Sequence, residues 1–310
     1  MNILLTGASG FIGRHIAQSL RQAGHHVVAA SRTSPMQVDF VCDTTAEHWL
    51  PRLQGIDAVV NAVGVLRDSR RQPMQAIHTD APCALFDACV QAGIRRVVQI
   101  SALGIADSNT LYAQTKKATE QHLMRLNAQG VLDAAILRPS IVFGKGAAGI
   151  ELFVTLSRLP VLVLPQPAIE AQVQPLAAHD LADAVARLVA QGPSPGQRRG
   201  VIELAGPAPL TLAAFIASLR EQAGKRAPRT IGLPAGLSRL SARMGDWIPV
   251  SPWCSQTLEL LCTPNTADAR TLAQSLQRAP VPPEKLLATL QTVDRETAPA
   301  CDGAKGACLS

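Results

Sequence analysis

Aromatic side chains are scarce in this chain of 310 residues: six Phe, three Trp and a single Tyr make up 3%. Aliphatic side chains must therefore fill the core, and the stacking platforms that single-stranded nucleic acid requires are missing. Charge is also thin, 17% of residues against 47% hydrophobic, which excludes a chain held open by self-repulsion. The net charge of +6 is scattered in pairs such as Arg70-Arg71, Arg95-Arg96 and Arg198-Arg199. That distribution attracts small anions, and nucleic acid is not an expected partner. The seven cysteines are odd in number and contain no Cys-x-x-Cys, and the seven histidines contain no His-Glu-x-x-His. Neither a disulfide framework nor a metal site is expected, and reduced thiols are the simpler reading. No apolar run reaches the ~18 residues of a membrane span; the best stretch, Leu152 to Leu164, is broken by Arg158 and Pro160. The N-terminus lacks a basic segment followed by an apolar run and a cleavage site, so a cytoplasmic location is expected.

What is present is alternation. Apolar or β-branched runs at Asn2–Thr6, His26–Ala30, Gln37–Val41, Ala58–Asn61, Arg96–Ser101 and Ala134–Arg138 predict strands. Between them, Phe11–Ala23, Ala46–Leu53, Gln75–Ala92 and Leu111–Ala128 read as helices, with Ile12, Ile16 and Leu20 at helical spacing in the first. Strands separated by helices require crossover connections and hence a parallel sheet. Past residue 145 the pattern loosens around Pro160, Pro165, Pro167 and Pro175. Helices are predicted at 179–190, 211–223, 234–246 and 253–262, with a strand at Val201–Leu204. The predicted organisation is a core over 1–145, rejoined by 172–205. A smaller lobe is expected from 146–171 and 206–293, and a disordered tail over 294–310.

The segment TGASGFIGRH carries Gly7, Gly10 and Gly13 directly between the first strand and the first helix. A sharp turn at Gly7, backbone approach to a pyrophosphate at Gly10 and close helix packing at Gly13 would each need a missing side chain. The free N–H groups and positive dipole end of the helix then face an anion. Ser9, Phe11, Ile12 and Arg14 belong to the same candidate site. The fold class implied is α/β, a Rossmann doubly wound parallel sheet with a smaller, mostly helical C-terminal lobe. The second strand ends Ser31-Arg32 rather than in the acidic residue that holds the ribose 2′-hydroxyl of NAD. An arginine suits a 2′-phosphate, so NADP(H) is the preferred cofactor and NAD the alternative. Asp43 is a candidate for the adenine amino group, and Asn61-Ala62-Val63-Gly64 can bring backbone close to the cofactor.

The single tyrosine begins Tyr-x-x-x-Lys: Tyr112 and Lys116 fall on one helix face. A phenol titrates near pH ~10 and needs about 4 kcal/mol of help to work at pH 7. A neighbouring ammonium and the nicotinamide charge can supply much of it. Tyr112 could then protonate a carbonyl oxygen while Lys116 holds the nicotinamide ribose.

Together with NAVGV at 61–65, QISALG at 99–104, LRPSIVFG at 137–144 and QVQPLAAHDLADAV at 172–185, these segments resemble the short-chain dehydrogenase/reductase superfamily. The resemblance covers roughly residues 1–210, lies on the extended, epimerase/dehydratase-type side, and is similar to the group around the nucleotide-binding accessory subunit of respiratory complex I. It implies that Arg138-Pro139 lies near the nicotinamide, with Ser140 and Ile141 lining that end, and that Ser101 assists the substrate oxygen. The chain departs from the pattern in three places. Ser101 sits early, at the strand end, and an unusually short interval separates it from Tyr112. Leu103 stands where a hydroxyl is expected, and His78 where an asparagine is often found.

Three readings follow. The first is an NADP-dependent reductase or dehydrogenase of unknown small-molecule substrate, using Tyr112, Lys116 and Ser101. The second is a non-catalytic NADPH-binding structural or redox-sensing subunit, which the accessory-subunit resemblance implies, associated with a membrane-bound assembly. The third is a sugar-nucleotide epimerase or dehydratase, which Ser31-Arg32 disfavours. His179 and Asp180 open a predicted helix, where Asp180 reads as a cap.

Overall fold

The computed structural model describes residues 1–191, 200–234, 236–237 and 265–290. In chain order the strands are β1 (Asn2–Thr6), β2 (His26–Ser31), β3 (Met36–Gln37), β4 (Ala58–Asn61), β5 (Arg96–Ile100), β6 (Asp133–Pro139), β7 (Val142–Phe143), β8 (Val161–Pro165), β9 (Gln172–Val173), β10 (Leu176–Ala177), β11 (Gly200–Leu204), β12 (Leu210–Thr211) and β13 (Arg229–Leu233). The helices are α1 (Phe11–Gln22), α2 (Ala46–Trp49), α3 (Ala81–Gln91), α4 (Leu111–Ala128), α5 (Ala148–Ser157), α6 (Gln166–Glu170), α7 (Ala178–Gln191), α8 (Leu212–Gln222) and α9 (Ala269–Leu276).

Among the described residues, seven strands form one sheet in the order β11-β6-β5-β4-β1-β2-β3, every pair parallel. This is the doubly wound order, whose direction reverses between β1 and β4 and opens a crevice outside their carboxyl ends. Parallel strands need cover on both faces. On one face Ile16 and Leu20 of α1 meet Leu181 and Val185 of α7, and all four are buried. On the other, Trp49, Leu85, Phe86, Leu123 and Leu126 from α2, α3 and α4 are buried together. Three of the six phenylalanines gather elsewhere: Phe143 and Phe153 each meet the Phe215 ring edge-on, at 6.0 and 5.8 Å, in a separate apolar cluster with α5 and α8. The lobe also contains a parallel ribbon, β8 with β13.

Several elements differ from the sequence expectation, each for a local reason. The third strand stops at Gln37 instead of reaching Val41. Asp39 accepts from the Val41 N–H at 3.0 Å and Asp43 accepts from the Asp39 N–H at 2.7 Å, so side chains take amides that a ladder would have used. The expected helix over Gln75–Ala92 begins as a wide π turn, Ala76–Asp80, before α3. Pro82 has no N–H to offer the His78 carbonyl, and the Thr119 hydroxyl donates to that carbonyl instead. Asp180 is not a helix cap. It is wholly buried, pairs with Arg278 at 2.7 Å and accepts from the Val281 N–H at 2.8 Å, tying the chain after α9 onto α7. Leu272 and Leu276 of α9 join the core beside α7, although their position in the sequence placed them with the smaller lobe. The helices predicted at 234–246 and 253–262 lie, apart from residues 234 and 236–237, outside the described residues, and so does the tail predicted over 294–310. Among the described residues no helix is long and apolar enough to cross a membrane.

Candidate active site

The crevice at the β1/β4 reversal is built by glycine. Gly7 turns the chain off β1 at φ 73°, and a Cβ there would stand 2.9 Å from the Ala62 carbonyl carbon and oxygen. At Gly13 a Cβ would come within 2.1 Å of the Gly7 carbonyl oxygen, so α1 lies this close to the strand end only because residue 13 has no side chain. Gly10 is the N-cap of α1 and offers no side-chain cap, and the first turn holds no acidic residue. The leading amides of a twelve-residue helix are therefore left to an external acceptor. These features fit a dinucleotide pyrophosphate.

A cleft of about 540 Å³ runs from this cradle between the two lobes. It brings together Gly10, Phe11 and Ile12, then Ala62, Val63 and Gly64, then Ser101, Tyr112, Lys116, Pro139 and Ser140, all named from the sequence. Ser9, Arg14, Ser31, Arg32, Asp43 and Asn61 do not line it. Their placements differ in kind. Arg14 folds back, donating to the Ser9 carbonyl at 2.6 Å, and its guanidinium occupies the space a side chain at Gly146 would need. The Ser31 hydroxyl accepts from the Thr33 and Ser34 amides and so shapes its own turn. Arg32, next in that turn, is exposed. The Asp43 carboxylate is engaged by Arg52 at 2.7 Å and by the Asp39 amide. Asn61 is buried and fully engaged, accepting from Thr6 at 2.6 Å and donating to Gln99 at 2.8 Å. A second hollow of about 370 Å³, between α1 and α7, holds His15 and His179 but none of the cradle glycines.

Tyr112 and Lys116 project from the first turns of α4, whose start is capped by the Thr110 hydroxyl accepting from the Ala113 amide at 3.2 Å. Lys116 is buried, and its Nζ donates to the carbonyls of Ile100 at 3.1 Å and Val63 at 3.5 Å. Burial lowers its pKa to about 8, opposed by the nearby Glu120 carboxylate. Tyr112 keeps some exposure to the cleft, yet the apolar atoms around its ring push its phenol up to about 12. The lowering expected from Lys116 is thus not produced by the protein alone, because desolvation outweighs an ammonium turned towards two carbonyls.

His78 stands edge-on to the Tyr112 ring, with centroids 5.4 Å apart. Its Nε2 accepts from the Val65 amide at 2.9 Å and its Nδ1 lies 3.0 Å from the Thr115 hydroxyl. That hydroxyl donates to a carbonyl of its own helix, so the proton is assigned to Nδ1. Burial, with the Lys116 charge, lowers the His78 pKa to about 3. The unfolded chain therefore binds this proton first as pH falls below ~6.5, and folding stability should drop by about 1.4 kcal/mol per pH unit there. Urea midpoints between pH 6.5 and 4.5 test this. His78→Asn, which cannot titrate, should show a slope smaller by that amount.

Ser101 is buried, and its hydroxyl donates to Glu120 at 2.6 Å instead of turning to Tyr112. Glu120 also receives Arg138 in a two-pronged pair, Nε at 3.0 Å and Nη2 at 2.6 Å.

The model of the NAD dependent epimerase/dehydratase family matches residues 3–198. The chain belongs to this family. Among curated proteins it is 28% identical over 199 residues to a ceramide reductase of Caulobacter vibrioides, covering 61% of this chain and 60% of that one. The chain thus spans about three fifths of that relative's length. It is 25% identical over 153 residues to the mouse mitochondrial NADH dehydrogenase [ubiquinone] 1 alpha subcomplex subunit 9, covering 45% of this chain and 40% of that one. Among solved structures, an NADPH-dependent quinone oxidoreductase from Escherichia coli, complexed with NADPH, superposes with a TM-score of 0.70 at 18% identity, over 92% of this chain and 98% of that one. That likeness shares the fold.

In this family member, sequence reasoning missed Glu120 and Asn265. Glu120 had a signal, since Tyr112, Lys116 and Glu120 repeat every four residues along one face of α4. Asn265 had none. It reaches the cleft from far downstream, where its Nδ2 donates to the Leu103 carbonyl at 3.2 Å and its Oδ1 receives the Ser140 hydroxyl at 2.5 Å.

Proposed function

We propose that the chain is an NADP(H)-dependent reductase or dehydrogenase that interconverts a carbonyl and an alcohol, with Tyr112 as acid–base and Lys116 as its electrostatic partner. The observation that carries this reading is the convergence of the uncapped α1 terminus, Tyr112 and Lys116 on one cleft. The α1 amides and the glycines would hold the pyrophosphate, Val63-Gly64 and Pro139-Ser140 would border the nicotinamide end, and Arg32 would meet the 2′-phosphate. The bound dinucleotide supplies or accepts the hydride. Tyr112 is neutral at pH 7, since its phenol is pushed up to about 12, and so stands ready to donate a proton to a substrate oxygen. Lys116, with a pKa of about 8, is mostly charged at pH 7 and favours the phenolate that this donation leaves.

Titration of purified protein with NADPH and NADH, followed by a screen for NADPH oxidation with carbonyl compounds, tests the reading. Absence of binding to either dinucleotide would sink it. Arg32→Ala should weaken NADPH binding by tenfold or more, the scale of a charge-assisted hydrogen bond, and change NADH binding less than twofold.

A second reading is favoured by Ser101. With that hydroxyl held by Glu120 and Leu103 standing where another was expected, the substrate oxygen has one fewer donor. This suits a subunit that binds NADPH without turnover within a larger, membrane-bound assembly. Native-size analysis of the protein from its own cells separates the two, a free protein counting against the subunit.

A further inference from the structure

Beyond Tyr112 the cleft walls are hydrocarbon. Val65, Leu66 and Leu103 face it from the sheet side, and Ile141, Ile150 and Phe153 from the smaller lobe. Phe153 packs edge-on against Phe215, which backs this wall with the apolar cluster around α8. Among the described residues the one charged side chain lining the cleft is Lys116, and its ammonium is spent on the Ile100 and Val63 carbonyls. The neutral polar groups are largely spent too. Ser101 donates to Glu120, Ser140 to Asn265, and Asn265 to the Leu103 carbonyl. Leu66 is 57% exposed, an apolar residue at the rim that a long hydrophobic guest would cover.

We infer that this cleft takes a neutral, mainly apolar ketone or aldehyde, or the matching alcohol, and not a sugar nucleotide. A nucleotide sugar would carry two phosphate charges and several hydroxyls onto this wall. Its one cation among the described residues, Lys116, is turned to two carbonyls, and its open donors, the Tyr112 hydroxyl and the α1 amides, serve the reacting oxygen and the dinucleotide in the reading above. Burying the remaining groups unpaired is strongly unfavourable. An apolar chain gains instead by leaving water, about fourfold in affinity for each methylene that becomes fully buried. The substrate class rests on the oxidoreductase reading for its chemistry but not for its binding.

The test separates the two. Calorimetry, run with and without NADP⁺, measures binding of the 2-alkanones from butanone to decanone and of UDP-glucose. NADPH oxidation is followed in parallel. Affinity is expected to climb two- to fourfold per methylene, with UDP-glucose not binding at millimolar concentration. Leu66→Asp, at an exposed position that leaves the core intact, should flatten the climb for the longer ketones, and so should Phe153→Ser. A flat ketone series, or UDP-glucose binding more tightly than decanone, overturns the inference. Rising ketone affinity without any NADPH oxidation keeps the apolar site and removes the reductase. Oxidation of NADPH by short polar carbonyls alone, with a flat series, keeps the reductase and removes the apolar site.

Discussion

Tyr112→Phe should lower kcat by about 10²- to 10⁴-fold, the range that a positioned general acid supplies, while the Kd for NADPH changes less than about threefold. The change removes one oxygen and leaves the ring that His78 meets edge-on, so packing and cofactor site survive. What disappears is the proton donor at the mouth of an apolar cleft where water is a poor substitute. Stopped-flow oxidation of NADPH with the best carbonyl substrate measures the loss. Turnover equal to wild type would show that Tyr112 is not the acid. The same experiment carries a pH signature. Lys116 has its pKa lowered to about 8, so in the wild type its charge, and the help it gives to a developing phenolate, fades as pH rises through 8. The rate of reduction should fall on that limb, and Lys116→Met should be slow at every pH with the limb gone.

Gly13→Ala should cost more than an ordinary helix substitution, and it should cost it twice. A methyl at this position would sit 2.1 Å from the Gly7 carbonyl oxygen, a backbone atom that cannot swing away. Either α1 rises off the sheet or the Gly7 turn opens. In the first case Ile16 and Leu20 lose their fit against Leu181 and Val185, an overpacking strain of about 1–3 kcal/mol. In both cases the α1 amides shift relative to the β1 turn and the pyrophosphate cradle is lost, so NADPH affinity should fall by 100-fold or more. Urea unfolding and NADPH fluorescence titration read the two effects separately. Undiminished NADPH binding in a folded Gly13→Ala protein would place the cofactor elsewhere.

The parallel sheet was legible because its signals are local and redundant. β1, β2 and β6 are largely apolar runs ended by Gly7, by the Ser31-Arg32 turn and by Pro139, and α4 occupies the span expected of it, Leu111–Ala128. The misreadings came where side chains compete with backbone. Asp39 and Asp43 took the amides that would have lengthened β3, and Pro82 broke the helix expected from Gln75 into a π turn and α3. In the candidate site, the residues named from short motifs do converge on one cleft: Gly10, Val63, Tyr112, Lys116 and Ser140. Those named for a reach across space are mostly occupied. Asp43 is held by Arg52, Asn61 by Thr6 and Gln99, and Ser101 by Glu120.

The primary structure alone determined the glycine cradle and the Tyr112–Lys116 face, because each is built within a single turn or helix whose geometry is set by residue type and spacing. Tertiary structure alone decided which polar groups remain free, and that hydrocarbon from two lobes walls the cleft. Those outcomes depend on partners such as Glu120, Arg138 and Asn265, brought together by chain crossings whose register no local pattern encodes.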